Sequence, residues 1–318
     1  MMEKINTHLL WLLIGTFTAL CGGTIVRIVA LRKADPELAK KRMGSLKVWW
    51  TLAILLTLAA VFQRPGAAVL LAVASFLGVR EFLKLIGKQH IGNAAVIVAL
   101  MSIPLQYSLI VMGLQNEAQF VLPVGMLLLL STVRLVNGET QGFIRTTAGV
   151  YWGVMLLVYC LSHAALLFEL AADHMPAVGA SGWFLFVVII TEMDDIAQAL
   201  VGRAIGRRKI TPTISPNKTW EGFLGGVIIS VGLSILLAPL LTSFPPASTL
   251  RGLLLSAGSG LLIVTAGFFG DINMSAVKRD VGVKDGSSIL PGMGGIIDRV
   301  DSLTFTAPAF YYFLCLVL

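Results

Sequence analysis

Charge is what this sequence has least of. Charged residues make up 13% of the 318 residues, against about 25% in an ordinary soluble domain. That shortage excludes a typical water-soluble globule. Cysteine is scarce too: Cys21, Cys160 and Cys315 each stand alone inside an apolar run, which suits small hydrophobes in helix packing. Without a CxxC or a Cys/His cluster, a structural zinc site is excluded. The four histidines, His8, His90, His163 and His174, are scattered, which excludes a poly-His metal centre. No internal repeat, low-complexity tract or soluble domain interrupts the chain.

What the chain has instead is apolar length. Hydrophobic residues reach 56% and the mean hydropathy is +0.86, both pointing to lipid as the solvent. The first apolar run, His8 to Leu31, is too long for a signal-peptide core and lacks a small-residue cleavage site. A segment crossing hydrocarbon satisfies its own backbone as a helix of about 20 apolar residues. Runs at 8–31, 48–62, 66–79, 91–112, 120–133, 146–170, 183–201, 222–242, 252–270 and 302–318 meet that description. They predict an all-α, polytopic membrane bundle of about ten transmembrane helices.

The basic residues set its orientation. Loops 32–47, 80–90, 134–145, 202–221 and 271–301 hold 20 of the 24 lysines and arginines; the rest are Lys4, Arg27, Arg64 and Arg251. The positive-inside rule puts those five loops in the cytoplasm and both termini on the opposite side. The net charge of +7 is therefore a topological signal and does not call for nucleic acid. Arg32, Lys33, Lys40, Lys41 and Arg42 form a topology anchor that could also grip anionic headgroups.

Acidic residues are few and unevenly placed. Nine of the 17 fall between Glu192 and Asp301, dividing the chain into N-terminal transmembrane helices, 1–182, and a C-terminal region carrying the chemistry, 183–318. Glu192, Asp194 and Asp195 lie inside an expected crossing, where unpartnered carboxylates are costly. A divalent cation would neutralise them, and their hard oxygens suit Mg²⁺; a solvated, metal-free cavity interrupting the helix is the alternative. A second cluster runs from Asp271 through Ser275, Lys278, Arg279, Lys284 and Asp285 to Pro291, Gly292, Met293, Gly294, Gly295, Asp298, Arg299 and Asp301. Carboxylates, cations and glycines together describe a site for metal-bound phosphates. On a helix Asp298 and Asp301 share one face and Arg299 points elsewhere. Between the clusters, Ser215 is expected to N-cap a helix with Pro216 first and Lys218 and Thr219 in its first turn. That would be an anion-binding corner or simply a capped helix start.

These residues resemble the CTP-dependent phosphatidate cytidylyltransferases, or CDP-diacylglycerol synthases. That family's signature reads Ser-x-x-Lys-Arg, four residues, Lys-Asp, then Pro-Gly-His-Gly-Gly-x-x-Asp-Arg-x-Asp. Ser275, Lys278, Arg279, Lys284, Asp285, Pro291, Gly292, Gly294, Gly295, Asp298, Arg299 and Asp301 match it in order and spacing, preceded by Asp271. Ser215-Pro216-x-Lys218-Thr219-x-Glu221-Gly222 also matches, so the resemblance covers about 185–318; Arg64-Pro65 and Glu81 are weaker hints. Two departures stand out. Met293 replaces a histidine, and Asp195-Ile196-Ala197-Gln198-Ala199 replaces Asp-Ser-x-Ala-Tyr.

The resemblance implies an enzyme of the bacterial inner membrane, working at its cytoplasmic face in phospholipid biosynthesis. It would join CTP to phosphatidic acid, or a related lipid phosphate, with Mg²⁺ and K⁺ as cofactors and a homodimeric state. It implies catalytic roles for Asp195, Asp271, Asp298, Lys278, Arg279 and Asp301, with Asp195, Asp271, Asp298 and Asp301 as metal ligands. Substrate contacts would fall to Ser215, Lys218, Thr219, Glu221, Ser275, Lys284, Asp285, Gly292, Gly294, Gly295 and Arg299. The competing readings are a cytidylyltransferase for another lipid phosphate, a catalytically silent paralogue, and a cation-linked transporter. A transporter would place broken helices in both halves of the chain, whereas the acids gather in the last third.

Overall fold

The structure, a computed structural model, describes residues 6–32, 36–87, 91–283, 287, 290 and 294–318, with the backbone alone for 36–41. Lys284, Asp285, Gly292 and Met293 lie outside the described residues. Ten helical rods account for nearly all of the rest: α1 Thr7–Leu31, α2 Pro36–Val61, α3 Gln63–Ile86, α4 Asn93–Val111, α5 Gln115–Val136, α6 Phe143–Leu170, α7 Gly182–Ile205, α8 Trp220–Leu241, α9 Leu250–Asp280 and α10 Ile297–Val317. Eight are long and apolar enough to cross a membrane. The other two, α3 and α7, carry charges within them, among them Glu81, Glu192, Asp194 and Asp195. The chain is a multi-pass, all-α membrane bundle, as its composition demands.

The best-buried apolar layer lies where the second half of α6 meets α7 and α10. Leu157, Leu161, Leu167, Trp183, Phe186, Ile190 and Phe310 are all sealed there. Two helices widen locally to π turns, Val121–Gly125 around Pro123 and Met155–Cys160; in the first, a proline without an N–H has upset the regular ladder. At one end of the bundle Asn6 Nδ2 donates to Ala177 O, Val178 N to Leu240 O and Arg251 Nη2 to Val317 O, and Arg64 pairs with Glu169. The start of α1 and the end of α10 therefore sit at that end. The charged cluster gathers at the other.

Three local expectations are corrected. Residues 271–280 are helical, not loop, because α9 runs on to Asp280; its charges Asp271 and Lys278 are matched by partners, Lys218 and Asp298. Ser215 caps no helix. Ser215–Thr219 is β2, antiparallel to β1, Lys209–Thr211, and the helix starts five residues later at Trp220. Thr219 is the cap, its Oγ1 accepting from Gly222 N at 3.1 Å, and Pro216 is tolerated because a two-stranded hairpin has open edges. Finally, Arg299 does not point away from its neighbouring aspartates: all three line one cavity.

Candidate active site

Five helices, α2, α7, α8, α9 and α10, and the β hairpin line a cavity of about 1360 Å³. α7 contributes Glu192, Asp195 and Gln198, β2 contributes Ser215, Lys218 and Thr219, α9 contributes Asp271 and Lys278, and α10 with its approach contributes Gly294, Asp298, Arg299 and Asp301. Residues from Glu192 to Asp301, 109 apart in sequence, thus share one space, and α9 and α10 come very close within it. At Gly270 a Cβ would fall 2.5 Å from Asp301 O. Only glycine permits that approach, and it sets Asp271 beside Asp301.

The acids of α7 divide between two tasks. Asp194 is 1% exposed; it takes Gln198 Nε2 at 2.7 Å and Ser230 Oγ of α8 at 3.4 Å. It fastens α7 to α8. Asp195 faces the cavity and accepts from Ser302 Oγ at 3.0 Å. Geometry thereby distinguishes two adjacent carboxylates that look equivalent in the sequence.

Two lysines pair with two of the remaining acids, Asp271 and Asp298. Lys218 Nζ lies 2.8 Å from Asp271 Oδ2 and donates to Gln198 Oε1 at 3.1 Å. Burial pushes its pKa down, but the carboxylates of Asp271 and Asp195 outweigh burial and hold it above the ordinary lysine value. It is a cation at neutral pH. Lys278 Nζ lies 2.6 Å from Asp298 Oδ1, and the other oxygen of Asp298 accepts from Gly295 N at 3.0 Å. Gly294, at φ +85°, leaves room for that carboxylate: a Cβ there would stand 2.7 Å from Asp298 Oδ2. Asp301 accepts from Ser302 N at 2.9 Å, and the buried Arg299 Nε has no hydrogen-bond partner among the described residues.

Other residues singled out in the sequence hold the frame. Glu221 accepts from the backbone N–H groups of Arg207 and Arg208, at 2.9 and 3.1 Å, and ties the hairpin to α8. Arg279 donates to Ile214 O at 3.2 Å from the far side of the same hairpin. Ser275 donates to Asp271 Oδ1 at 3.3 Å. None of these three lines the cavity. Conversely, Gln198, Ser302, Glu81 and Trp49 were not singled out for the site. Gln198 had a signal, since it follows Asp194 by four and so shares its helix face. Trp49, on α2, lines the cavity and nothing local announces it.

Among the described residues, no three histidine, cysteine, aspartate or glutamate side chains are grouped closely enough to hold an ion. The donor type nevertheless suits one. Asp195, Asp271 and Asp301 are within electrostatic reach of one another, all oxygen donors of the kind Mg²⁺ prefers.

A sequence model described as the cytidylyltransferase family matches residues 43–317. The chain is 40% identical over 269 residues to an uncharacterized protein of Escherichia coli (strain K12), YnbB, covering 85% of this chain and 86% of the other. It is 35% identical over 217 residues to a phosphatidate cytidylyltransferase of Bacillus subtilis (strain 168), covering 67% and 74%. With the chloroplastic phosphatidate cytidylyltransferase 4 of Arabidopsis thaliana the identity is 29% over 312 residues, covering 91% and 78%.

Proposed function

This chain belongs to the cytidylyltransferase family, and from that premise we propose that it transfers the cytidylyl group of CTP to phosphatidic acid, giving CDP-diacylglycerol and pyrophosphate. The observation that carries the reading is a charge-dense cavity at one face of an apolar bundle, built on the pairs Lys218–Asp271 and Lys278–Asp298. The reaction brings two polyanions together, and a site of this composition lowers that barrier electrostatically. A phosphate oxygen of the lipid attacks the α-phosphorus of CTP. A new P–O–P bond forms, the bond to the bridging oxygen of the β-phosphate breaks, and pyrophosphate leaves with its electron pair. The nucleophile is already an anion, so no strong general base is needed.

Lys218, Lys278 and Arg299 would hold phosphates. Arg299 has a buried donor without a partner among the described residues, whereas the two lysines must first exchange a carboxylate for a phosphate. That exchange releases Asp271 and Asp298. Asp195, Asp271 and Asp301 would then hold Mg²⁺, with Asp298 beside them. Bound there, the cation would offset phosphate charge and draw electrons from the α-phosphorus. A K⁺ ion and a homodimer rest on the family resemblance alone.

A cytoplasmic site at a bacterial inner membrane belongs to the same proposal; it is supported by the basic loops 32–47, 202–221 and 271–301, which adjoin or line the cavity and which the positive-inside rule assigns to that side. A second reading keeps the chemistry and changes the acceptor to another lipid phosphate. It is supported by Asp195-Ile196-Ala197-Gln198-Ala199 standing where the resembled family has Asp-Ser-x-Ala-Tyr. Purified protein supplied with CTP, Mg²⁺ and a panel of lipid phosphates should release pyrophosphate fastest with phosphatidic acid. Faster release with another acceptor selects the second reading, and silence across the panel defeats both.

A further inference from the structure

The N–H groups that open a helix have no partner within it, and α10 begins without a side-chain cap of its own. Its start is nevertheless satisfied, from across the bundle. Glu81, near the end of α3 and 3% exposed, accepts from Ile296 N at 2.9 Å and Ile297 N at 3.5 Å through Oε2. Its Oε1 rests against Gly295, where a Cβ would stand only 1.8 Å away, and the Ser287 hydroxyl also bonds this carboxylate. Ile296 packs toward Gly78, one turn earlier on α3. The segment so gripped is the one that aims Asp298: Gly295 N, beside the gripped Ile296, is the donor to Asp298 Oδ2.

We propose that Glu81 is a positioning residue for the transfer reaction, a remote cap that fixes the 294–298 segment and thereby the Lys278–Asp298 pair in the cavity. The proposal deepens the cytidylyltransferase reading and rests on it for the reaction concerned. The position suits a carboxylate on three grounds. It satisfies two orphan donors, it places negative charge at a helix N-terminus, and its second oxygen fills the space that Gly295 leaves. Glu81 stays behind the site and does not line the cavity, so its effect on turnover passes through Asp298. It also makes the N-terminal helices part of the active site, although the charged motifs lie almost wholly in the last third of the chain.

Hydrogen exchange at the Ile296 and Ile297 amides, alongside pyrophosphate release, tests this in the full-length protein in detergent or nanodiscs. Glu81→Ala should speed exchange at those amides selectively and lower kcat by about 100-fold, the scale expected for a misplaced catalytic group. KM for CTP should stay within about threefold, as for an interaction realised mainly in the transition state. Glu81→Gln keeps the accepting oxygen and should recover most of both losses. Gly295→Ala attacks the same contact from the other side; it should be damaging alone and nearly neutral in the Glu81→Ala background, a coupling that a double-mutant cycle reads.

Unchanged amide exchange in Glu81→Ala would overturn the proposal, as would additive losses in the cycle. So would a Glu81→Gln protein as inactive as Glu81→Ala despite protected amides, since charge and not position would then be the cause. If Glu81→Ala does not fold, the exchange and kinetics of Glu81→Gln and Gly295→Ala decide. A wild-type protein that turns over no lipid phosphate sinks the functional reading, while the amide exchange still reports on the cap.

Discussion

Lys278 and Asp298 meet at 2.6 Å although they stand 20 positions apart and on different helices. Each is only about one-tenth exposed, so removing one partner leaves the other poorly solvated, a loss that reaches about 3–5 kcal/mol for a fully buried pair. Lys278→Met and Asp298→Asn should both abolish turnover and lower the melting temperature in detergent. The exchanged pair, Lys278→Asp with Asp298→Lys, should regain melting temperature and stay inactive, because the cavity would then carry its charges in the wrong places. Recovery of pyrophosphate release in the exchanged protein would show that the pair serves the fold alone.

Asp194 and Asp195 make a sharper contrast. Asp195→Asn should cost about 100-fold or more in kcat, as losing a charged group at a site of electrostatic stabilisation does, with little change in thermal stability. Asp194→Asn keeps its contacts with Gln198 and Ser230 in part, so it should retain measurable turnover. Asp194→Ala should cost stability first. Kinetics and melting curves on the three variants check this, and equal catalytic losses for both asparagine variants would refute the division of labour.

Much of this arrangement was legible in the sequence, and the reasons differ by element. Ten apolar runs gave ten rods, because hydrocarbon leaves the backbone almost no alternative to a helix. Helix ends were less legible: hydropathy marks where lipid stops, not where hydrogen bonding stops, so α9 runs ten residues beyond the apolar stretch to Asp280. The Ser215–Thr219 strand was missed because Ser-Pro is also a good helix opening; the competing cap, Thr219, lies four residues downstream. The cluster of Asp195, Asp271, Lys278, Asp298 and Asp301 was visible as an unlikely density of charge. Glu81 is only faintly marked in the sequence, since the contact that gives it meaning spans 215 residues and no local pattern records a partner that remote.

Glu221 and Lys218 stand three residues apart and should respond oppositely to loss of charge. Glu221→Gln retains an oxygen for the Arg207 or Arg208 amide and should keep turnover within about threefold, as expected when a bond worth roughly 1 kcal/mol is weakened. Lys218→Met removes a cation facing both Asp271 and Gln198 and should raise KM for CTP or for the lipid as well as lower kcat. Initial-rate measurements with each substrate varied in turn distinguish the two. A Glu221→Gln enzyme with the kinetic defect of Lys218→Met would return Glu221 to the substrate site.

Gly294 concentrates two demands at one Cα. Its φ of +85° is open to glycine at no penalty, whereas an L side chain in left-handed conformations is disfavoured by roughly 1–2 kcal/mol. Its Cβ position is also taken, 2.7 Å from Asp298 Oδ2. Gly294→Ala should therefore act locally, turning the Asp298 carboxylate off Gly295 N and Lys278 while the ten helices stay packed. The expected signature is a large fall in kcat with a melting temperature within a few degrees of wild type. Gly282 is the comparison, with φ +75° and no described residue near its Cβ position. Gly282→Ala carries the same backbone strain without the collision, so it should show the stability cost and keep its turnover. If both alanine variants lost activity equally, backbone strain and not the Asp298 contact would be responsible, and Gly294 would have no special claim on the site.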